Sequence, residues 1–324
     1  MMTQTPPMPN LGLDRVIANN GDLHDETLYL AGRPSLRRFV RFVRSQAVHP
    51  PDPSSLADEW HAAHDHIGRL QELEAGYADN PSITPLTKLG KKYEPLLIEF
   101  LKDPLVRHSY NSVPSDVALV ELDRLVVHQK HIDLTFVRAL KKKLGPAPSD
   151  ETIFRTCLPF DHPQPPAKWS RTRHNSFVFV SPSNDLRFLG ALSLEPGQLT
   201  NVPPPGSTVG LVGLAVGFGS NFLNAVYIEG RLILKNGSHR AYALRDLGIT
   251  HVPCIVQHVS SRDELDEVAG EEVTDQADLF LKQPRPSLLK DYFDTKLHKV
   301  IRVERRVRQV TVKFQVEESY IPTL

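Results

Sequence analysis

Cysteine is scarce: the chain has two, Cys157 and Cys254, in 324 residues. That excludes a disulfide framework and a four-cysteine zinc site, and it fits a reducing compartment. Long apolar runs are missing as well. The most apolar stretch, Val209 to Phe218, is ten residues broken by glycine, against the ~20 that a spanning helix needs. The opening MMTQTPPMPNLGLDRVIANN has no basic segment followed by an apolar one, so no secretory signal is expected. The expectation is a soluble, cytoplasmic protein without a membrane partner. Net charge is lacking too, because 38 Lys and Arg cancel 38 Asp and Glu. Attraction to nucleic acid must therefore come from local patches and not from the whole field.

What is present is ordinary globular material, 40% hydrophobic and 23% charged, which excludes a wholly disordered, collagen-like or coiled-coil chain. The length suits two compact units of ~100–200 residues. Twenty-seven prolines punctuate it in clusters at 6–9, 50–53, 146–148, 159–166, 203–205 and 284–286.

Residues 1–110 read as a predominantly helical N-terminal region. In PSLRRFVRFVRSQ, Leu36, Phe39, Val40 and Val43 share one helical face while Arg37, Arg38, Arg41 and Arg44 take the other. Further helices are expected from about Leu56 to Gly76 and from about Tyr93 to Leu105. His61, His64 and His66 surround Asp65, but 61 and 64 share a helix face that 66 leaves, so a solvated face is favoured over a metal site and no metal is assigned.

At residue 113 the texture changes. VPSDVALVELDRLVV carries a strand pattern through about Leu125 to Val127, with Glu121 and Asp123 on it. Asp133 caps the helix LTFVRALKKKLG, which has Lys141, Lys142 and Lys143 at its end and Gly145 as stop. The stretch at about 150–223 reads as an insertion, with strands in SFVFVS and LRFLGALSL and a loop at VPPPGS. Its glycines 206, 210, 213, 217 and 219 lack the order of a P-loop or a dinucleotide turn, although Gly217-Phe218-Gly219-Ser220 could serve as a lid.

From Asn224 the signal sharpens. Glu229-Gly230 separates two apolar runs as a hairpin turn. Leu232 to Leu234 then lead into Gly237, with Ser238 as natural N-cap of a helix stopped at Gly248, and HVPCIVQHV is a buried strand. A helix starting straight after a glycine turn leaves its first N–H groups unpaired at the positive end of its dipole, which suits an anion. Arg240 can hold a phosphate bidentately, and His239 titrates near neutral pH.

The succession of strand, NGSHRAYAL, LG and a strand opened by VP resembles the ParB and sulfiredoxin superfamily. The upstream ALVELDRLVVHQKHIDLTFVRALKKKLG is similar to that superfamily's first strand, polar loop and following helix. The resemblance covers about residues 113–260. It implies a small α/β nucleotide-binding domain with phosphates at Gly237, Ser238, His239 and Arg240, and with Gln129 and Lys130 as lid contacts. Sulfiredoxins carry G-C-H-R, so Ser238 removes the thiolate that their chemistry needs. Partition proteins carry G-E-R-R, from which Ser238 and His239 depart. Relatives that phosphorylate free serine keep phosphoryl transfer open, with His239, Asp123 and Glu121 as catalytic candidates.

Residues 261–324 begin with the acidic SRDELDEVAGEE and end in VIRVERRVRQVTVKFQV, expected as a basic hairpin that turns near Glu304 to Arg306. Between Lys290 and Lys313 lie eight basic and three acidic residues. Arg302, Arg305, Arg306 and Arg308, with Arg37, Arg41 and Arg44, are the candidate nucleic-acid contacts. The expectation is an α+β protein: a ParB/sulfiredoxin-like core at 111–260, a helical N-terminal region and a C-terminal helix and β-hairpin at 261–324. Its expected role is nucleotide binding, regulatory or DNA-associated, using a nucleoside triphosphate or ADP with Mg²⁺; a protein partner or homodimer is compatible. The alternatives are a small-molecule phosphotransferase or nucleotide hydrolase, and a non-catalytic adaptor.

Overall fold

The computed structural model describes residues 23–162, 164–172, 175–194 and 210–322; the opening segment, the VPPPGS loop and Gly206 lie outside them. The sequence reading expects no strand ahead of residue 113, yet the chain enters through β1 (His24–Leu30). Next comes α1 (Leu36–Gln46), capped by Ser35 and burying Phe39 and Val43 as its periodicity dictates. The Asp52 carboxylate caps α2 (Pro53–Leu73), whose Leu56, Ala63 and Ile67 are buried. After β2 (Ile83–Pro85), the single helix expected at 93–105 is divided into α3 (Glu94–Phe100) and α4 (Pro104–Ser109). Pro104 has no N–H with which to continue α3, and Asp103 restarts the chain as a cap.

β3 (Ser115–Glu121) gives way to a 3-10 turn at Leu122–Arg124 before β4 (Val126–Val127). Asp123 is therefore not on the strand with Glu121, a correction to the expected single strand: Leu122 and Leu125 both pack into the same core, and regular alternation would send them to opposite faces. β5 (His131–Asp133) leads into α5 (Leu134–Leu144), where the Asp133 side chain accepts the Phe136 N–H at 3.0 Å. α6 (Asp150–Cys157) follows, then β6 (Lys168–Thr172), β7 (Ser176–Ser181), β8 (Leu186–Leu194) and β9 (Leu211–Phe218). β10 (Asn224–Ile228) and β11 (Arg231–Asn236) form the expected hairpin, with Glu229 and Gly230 at φ 49° and 77°. The rest is α7 (Ser238–Asp246), β12 (His251–His258), α8 (Arg262–Val268), α9 (Glu271–Thr274), α10 (Ala277–Leu281), β13 (His298–Glu304) and β14 (Arg308–Lys313).

This α+β chain divides into two units. The larger holds 24–162 and 220–304; the smaller holds the described parts of 1–23, 163–219 and 305–324. The stretch expected as an insertion is thus split: α6 packs Ile153, Phe154 and Cys157 into the main core, and the second unit takes over at 163. In the smaller unit β7 lies between β6 and β14, while β8 and β9 form a separate antiparallel pair.

The larger unit is built on a mixed sheet of order β2-β3-β12-β10-β11-β4. β10 runs parallel to β12, and β11 parallel to β4. Alternation sends Ala225, Leu232 and Leu234 into one core with α6 and α7, and Val226, Ile228 and Ile233 into another with α8 and α10. Phe100 anchors the first core, edge to face against Phe154 at 6.0 Å and Phe222 at 5.2 Å. A second sheet sets β1 between β5 and β13. Here the expected C-terminal hairpin is corrected: β13 pairs over all seven residues with β1, and β14 pairs with β7, so the two tail strands do not pair with each other.

One buried ion pair locks the end of α2 to the segment before β13. The Arg285 guanidinium, 1% exposed, donates to both oxygens of Asp291 at 2.6 Å and to Glu74 at 3.1 Å. Asp291 also accepts the Leu288 N–H at 3.0 Å. Asp291→Ala would strand that cation, and the expected loss is about 3–5 kcal/mol of unfolding free energy by urea titration. A loss below about 1 kcal/mol, the range of a surface pair, would show that the pair is not structural.

Candidate functional site

The turn at the start of α7 is made by glycine for a steric reason. Gly237 sits at φ 99°, and a Cβ there would lie 3.0 Å from the Leu223 side chain. Gly237 is itself the cap position and supplies no side-chain bond. The expectation that Ser238 caps the helix is corrected: Ser238 is its first residue and is buried among the core. The first N–H groups of α7 thus have no intrahelical acceptor and no side-chain cap.

Arg240 does something the motif did not announce. It is 8% exposed, and its Nη1 donates to the carbonyls of Asn221, Cys157 and Thr156 at 2.6, 3.2 and 3.3 Å. That places the guanidinium under the turn as a clamp on two backbone segments. Beside it, the Tyr110 hydroxyl meets Ser220 Oγ at 3.2 Å and the Asn224 amide at 3.1 Å, while Asn236 donates to the Ser220 carbonyl at 2.7 Å. Burial pushes the Cys157 thiol up to about 12 in spite of Arg240 nearby, and burial raises Cys254 as well. Neither can supply a thiolate near neutral pH.

His239 points the other way, toward the upstream loop. Its Nε2 accepts the Asp133 N–H at 3.0 Å, across 106 residues of sequence, and Phe136 packs edge-on against its ring. Burial, with His131 and Arg240 adding to it, lowers its pKa to about 4. At neutral pH the ring is uncharged, with its lone pair on Nε2. The N-termini of α5 and α7 are thereby joined through one side chain.

The other expected residues are not gathered at this turn. Gln129 Nε2 donates to the His131 carbonyl at 2.8 Å, and the Lys130 carbonyl accepts the Leu30 N–H at 2.8 Å. Both line a cavity whose walls do not include 237–240. Asp123 is bound by Arg245 at 2.9 and 3.4 Å, at the far end of α7, and Glu121 lies 3.9 Å from Arg124. The catalytic trio of His239, Asp123 and Glu121 is therefore not assembled. Arg37, Arg41 and Arg44 line one shallow hollow along α1. Arg302 belongs to the larger unit, where it meets His24 Nδ1 at 3.2 Å; Arg305, Arg306 and Arg308 belong to the smaller, and Arg308 donates to the Leu186 carbonyl. The single basic tail surface is divided accordingly. Gly217 and Gly219 lie in the smaller unit and Ser220 in the larger.

The three histidines of α2 have separate tasks. His66 bonds Asp294 at 2.7 Å, His64 bonds the Gly32 carbonyl at 3.1 Å and stacks on Trp60, and His61 meets the edge of Trp60. Among the described residues no group of three His, Cys, Asp or Glu could hold a metal ion, and no helix is long and apolar enough to cross a membrane. Arg33 is the site residue that sequence reading missed; its only local sign is the Gly32-Arg33-Pro34 turn, where Gly32 sits at φ 78° and a Cβ on it would lie 2.8 Å from the backbone of Ala63.

Comparison with protein-family models, curated proteins and solved structures gives no match to this chain. Function must be argued from the site itself.

Two outcomes follow from the geometry. Gly237→Ala forces a left-handed alanine against Leu223, and a loss of about 1–3 kcal/mol is expected by chemical denaturation. His239 has its folded pKa depressed from 6.5 to about 4, so the unfolded chain binds its proton first. The stability from neutral His239 is complete above about pH 6.5 and is lost as pH falls toward about 4, on the order of 2–3 kcal/mol in all. His239→Gln keeps an acceptor for the Asp133 N–H without titrating, and should flatten stability against pH in that window; an unchanged slope would assign the acid sensitivity elsewhere.

Proposed function

We infer that the chain is a nucleotide-binding protein of ParB-like kind, regulatory and DNA-associated, which holds phosphates at the N-terminus of α7 as a triphosphate or as ADP with Mg²⁺. The observation that carries the reading is the Asp133 N–H bond to His239 at 3.0 Å. It joins the uncapped start of α7 to the start of α5, two positive helix ends whose N–H groups and dipoles favour an anion. Nucleotide phosphates arriving there would bond Ser238 and His239 through the backbone. A ligand-driven shift of residues 128–130, just ahead of β5, would then be the route by which occupancy reaches a partner.

The engaged carboxylates favour regulation over catalysis. Asp123 is neutralised by Arg245 and Glu121 neighbours Arg124, so neither is free to orient an attacking hydroxyl near His239. DNA contact is drawn from α1, where Arg37, Arg41 and Arg44 recur on one face. A second reading, the non-catalytic adaptor, is favoured by Arg240, whose guanidinium is already used on three backbone carbonyls.

Calorimetric titration with CTP, ATP, ADP and GTP, each with Mg²⁺, decides between them. The expected result is one nucleotide bound per chain, with affinity reduced about tenfold or more in Gly237→Ala, where the turn is displaced. Heat from none of the four would leave the adaptor. For the DNA arm, Arg41→Ala should weaken duplex binding across sequences and reduce the salt slope by about one.

A further inference from the structure

The larger unit contains a cavity of about 510 Å³, between the exit of β1, α2, residues 127–130 and the region of α10. This is within the ~300–1,000 Å³ range of small-molecule sites. Its walls are of two kinds. Ile67, Leu279 and Phe280 contribute apolar surface, whereas Arg33, Arg38 and Lys130 contribute cations, and no aspartate or glutamate lines it.

Arg33 is half-buried, with its Nε shut away from solvent. Its Nη2 donates to the Arg285 carbonyl at 2.7 Å, its Nε has no hydrogen-bond partner, and among the described residues it makes no ion pair. The nearest acid, Asp291, gives both oxygens to Arg285 instead. Burial lowers the Arg33 pKa to about 10, Asp291 opposes that, and Arg285 adds to it. A guanidinium N–H shut away from solvent without an acceptor is costly, and stable chains satisfy such groups with a partner or a ligand.

We propose that this cavity binds an organic phosphate monoester, its phosphate held by Arg33 with Arg38 and Lys130 and its apolar body set against Ile67 and Phe280. A wall that carries cations and is lined by no acid matches a dianion better than a carboxylate, and the apolar wall selects against inorganic phosphate. This site lies apart from the turn at Gly237–Arg240, none of whose residues is in its walls. Of its walls, sequence reading gave a ligand role only to Gln129 and Lys130, as lid contacts of a nucleotide held at that turn.

Calorimetry on the full chain tests the assignment, with 1-naphthyl phosphate as probe against inorganic phosphate, 1-naphthol and 1-naphthoate. One equivalent of 1-naphthyl phosphate is expected to bind about tenfold or more tightly than any of the three, and about tenfold or more weakly in Arg33→Gln. Gly68→Leu supplies a second variant. A Cβ at Gly68 has no atom within 4 Å, so leucine there extends into open space while replacing a helical glycine. It should block the probe without lowering the melting temperature, and it decides the matter if Arg33→Gln does not fold. Equal binding of the probe and inorganic phosphate, tighter binding of 1-naphthoate, or full retention in Gly68→Leu would each overturn the assignment.

Discussion

A guanidinium cannot be buried without acceptors, and Arg240 dictates what surrounds it. Three carbonyls from two segments, the end of α6 and the strand-like approach to β10, converge on one nitrogen. Leu223 then closes over Gly237, and the loop through Ser220 is drawn under Tyr110 and Asn236. The turn is stiff because its own arginine anchors it from beneath. A neutral replacement would leave carbonyls unpaired in a dry interior, which costs more than the loss of an exposed charge. Whatever α7 presents at its N-terminus is preorganised by this contact rather than assembled on demand.

The two anion-favouring places rest on different physics. At α7 the attraction is carried by backbone N–H groups and a helix dipole, beside a histidine that burial keeps neutral. In the cavity it is carried by side-chain cations, one of them with an inaccessible Nε that has no hydrogen-bond partner. The first should be only weakly dependent on pH above the His239 range. The second draws on charge that arginine retains throughout ordinary conditions.

Much of the local structure was legible because its causes lie within a few residues. Asp133 caps the helix that follows it, and Glu229-Gly230 turns the hairpin. The apolar period of α1 correctly named Phe39 and Val43 as buried. What stayed hidden is long-range. β13 looks like half of a hairpin until β1, 280 residues earlier by the register His24↔Glu304, offers it a full edge. Asp123 reads as strand because the 3-10 turn that removes it goes with packing Leu122 and Leu125 into one core. Arg240 and Arg33 are equally ambiguous in sequence: an arginine near a glycine turn has the same letters whether it faces a phosphate, a carbonyl or an empty cavity. Only the placement of Asn221, Cys157 and Arg285 separates these cases.

The register of β1 also bears on how the polypeptide is made. Its outer neighbours are residues 131–133 and 298–304, so the first ordered strand has its complete pairing only when almost all of the described chain exists. Until then, a growing polypeptide carries Leu28 and Leu30, fully buried at the end, on a strand with an open edge. Sequence separation of this size slows closure, and an unpaired apolar edge invites association with other nascent chains. The early pairing of β1 with β5 and the cover from α1 would shield part of that edge during synthesis. The β13 side stays open until the ribosome has passed residue 304.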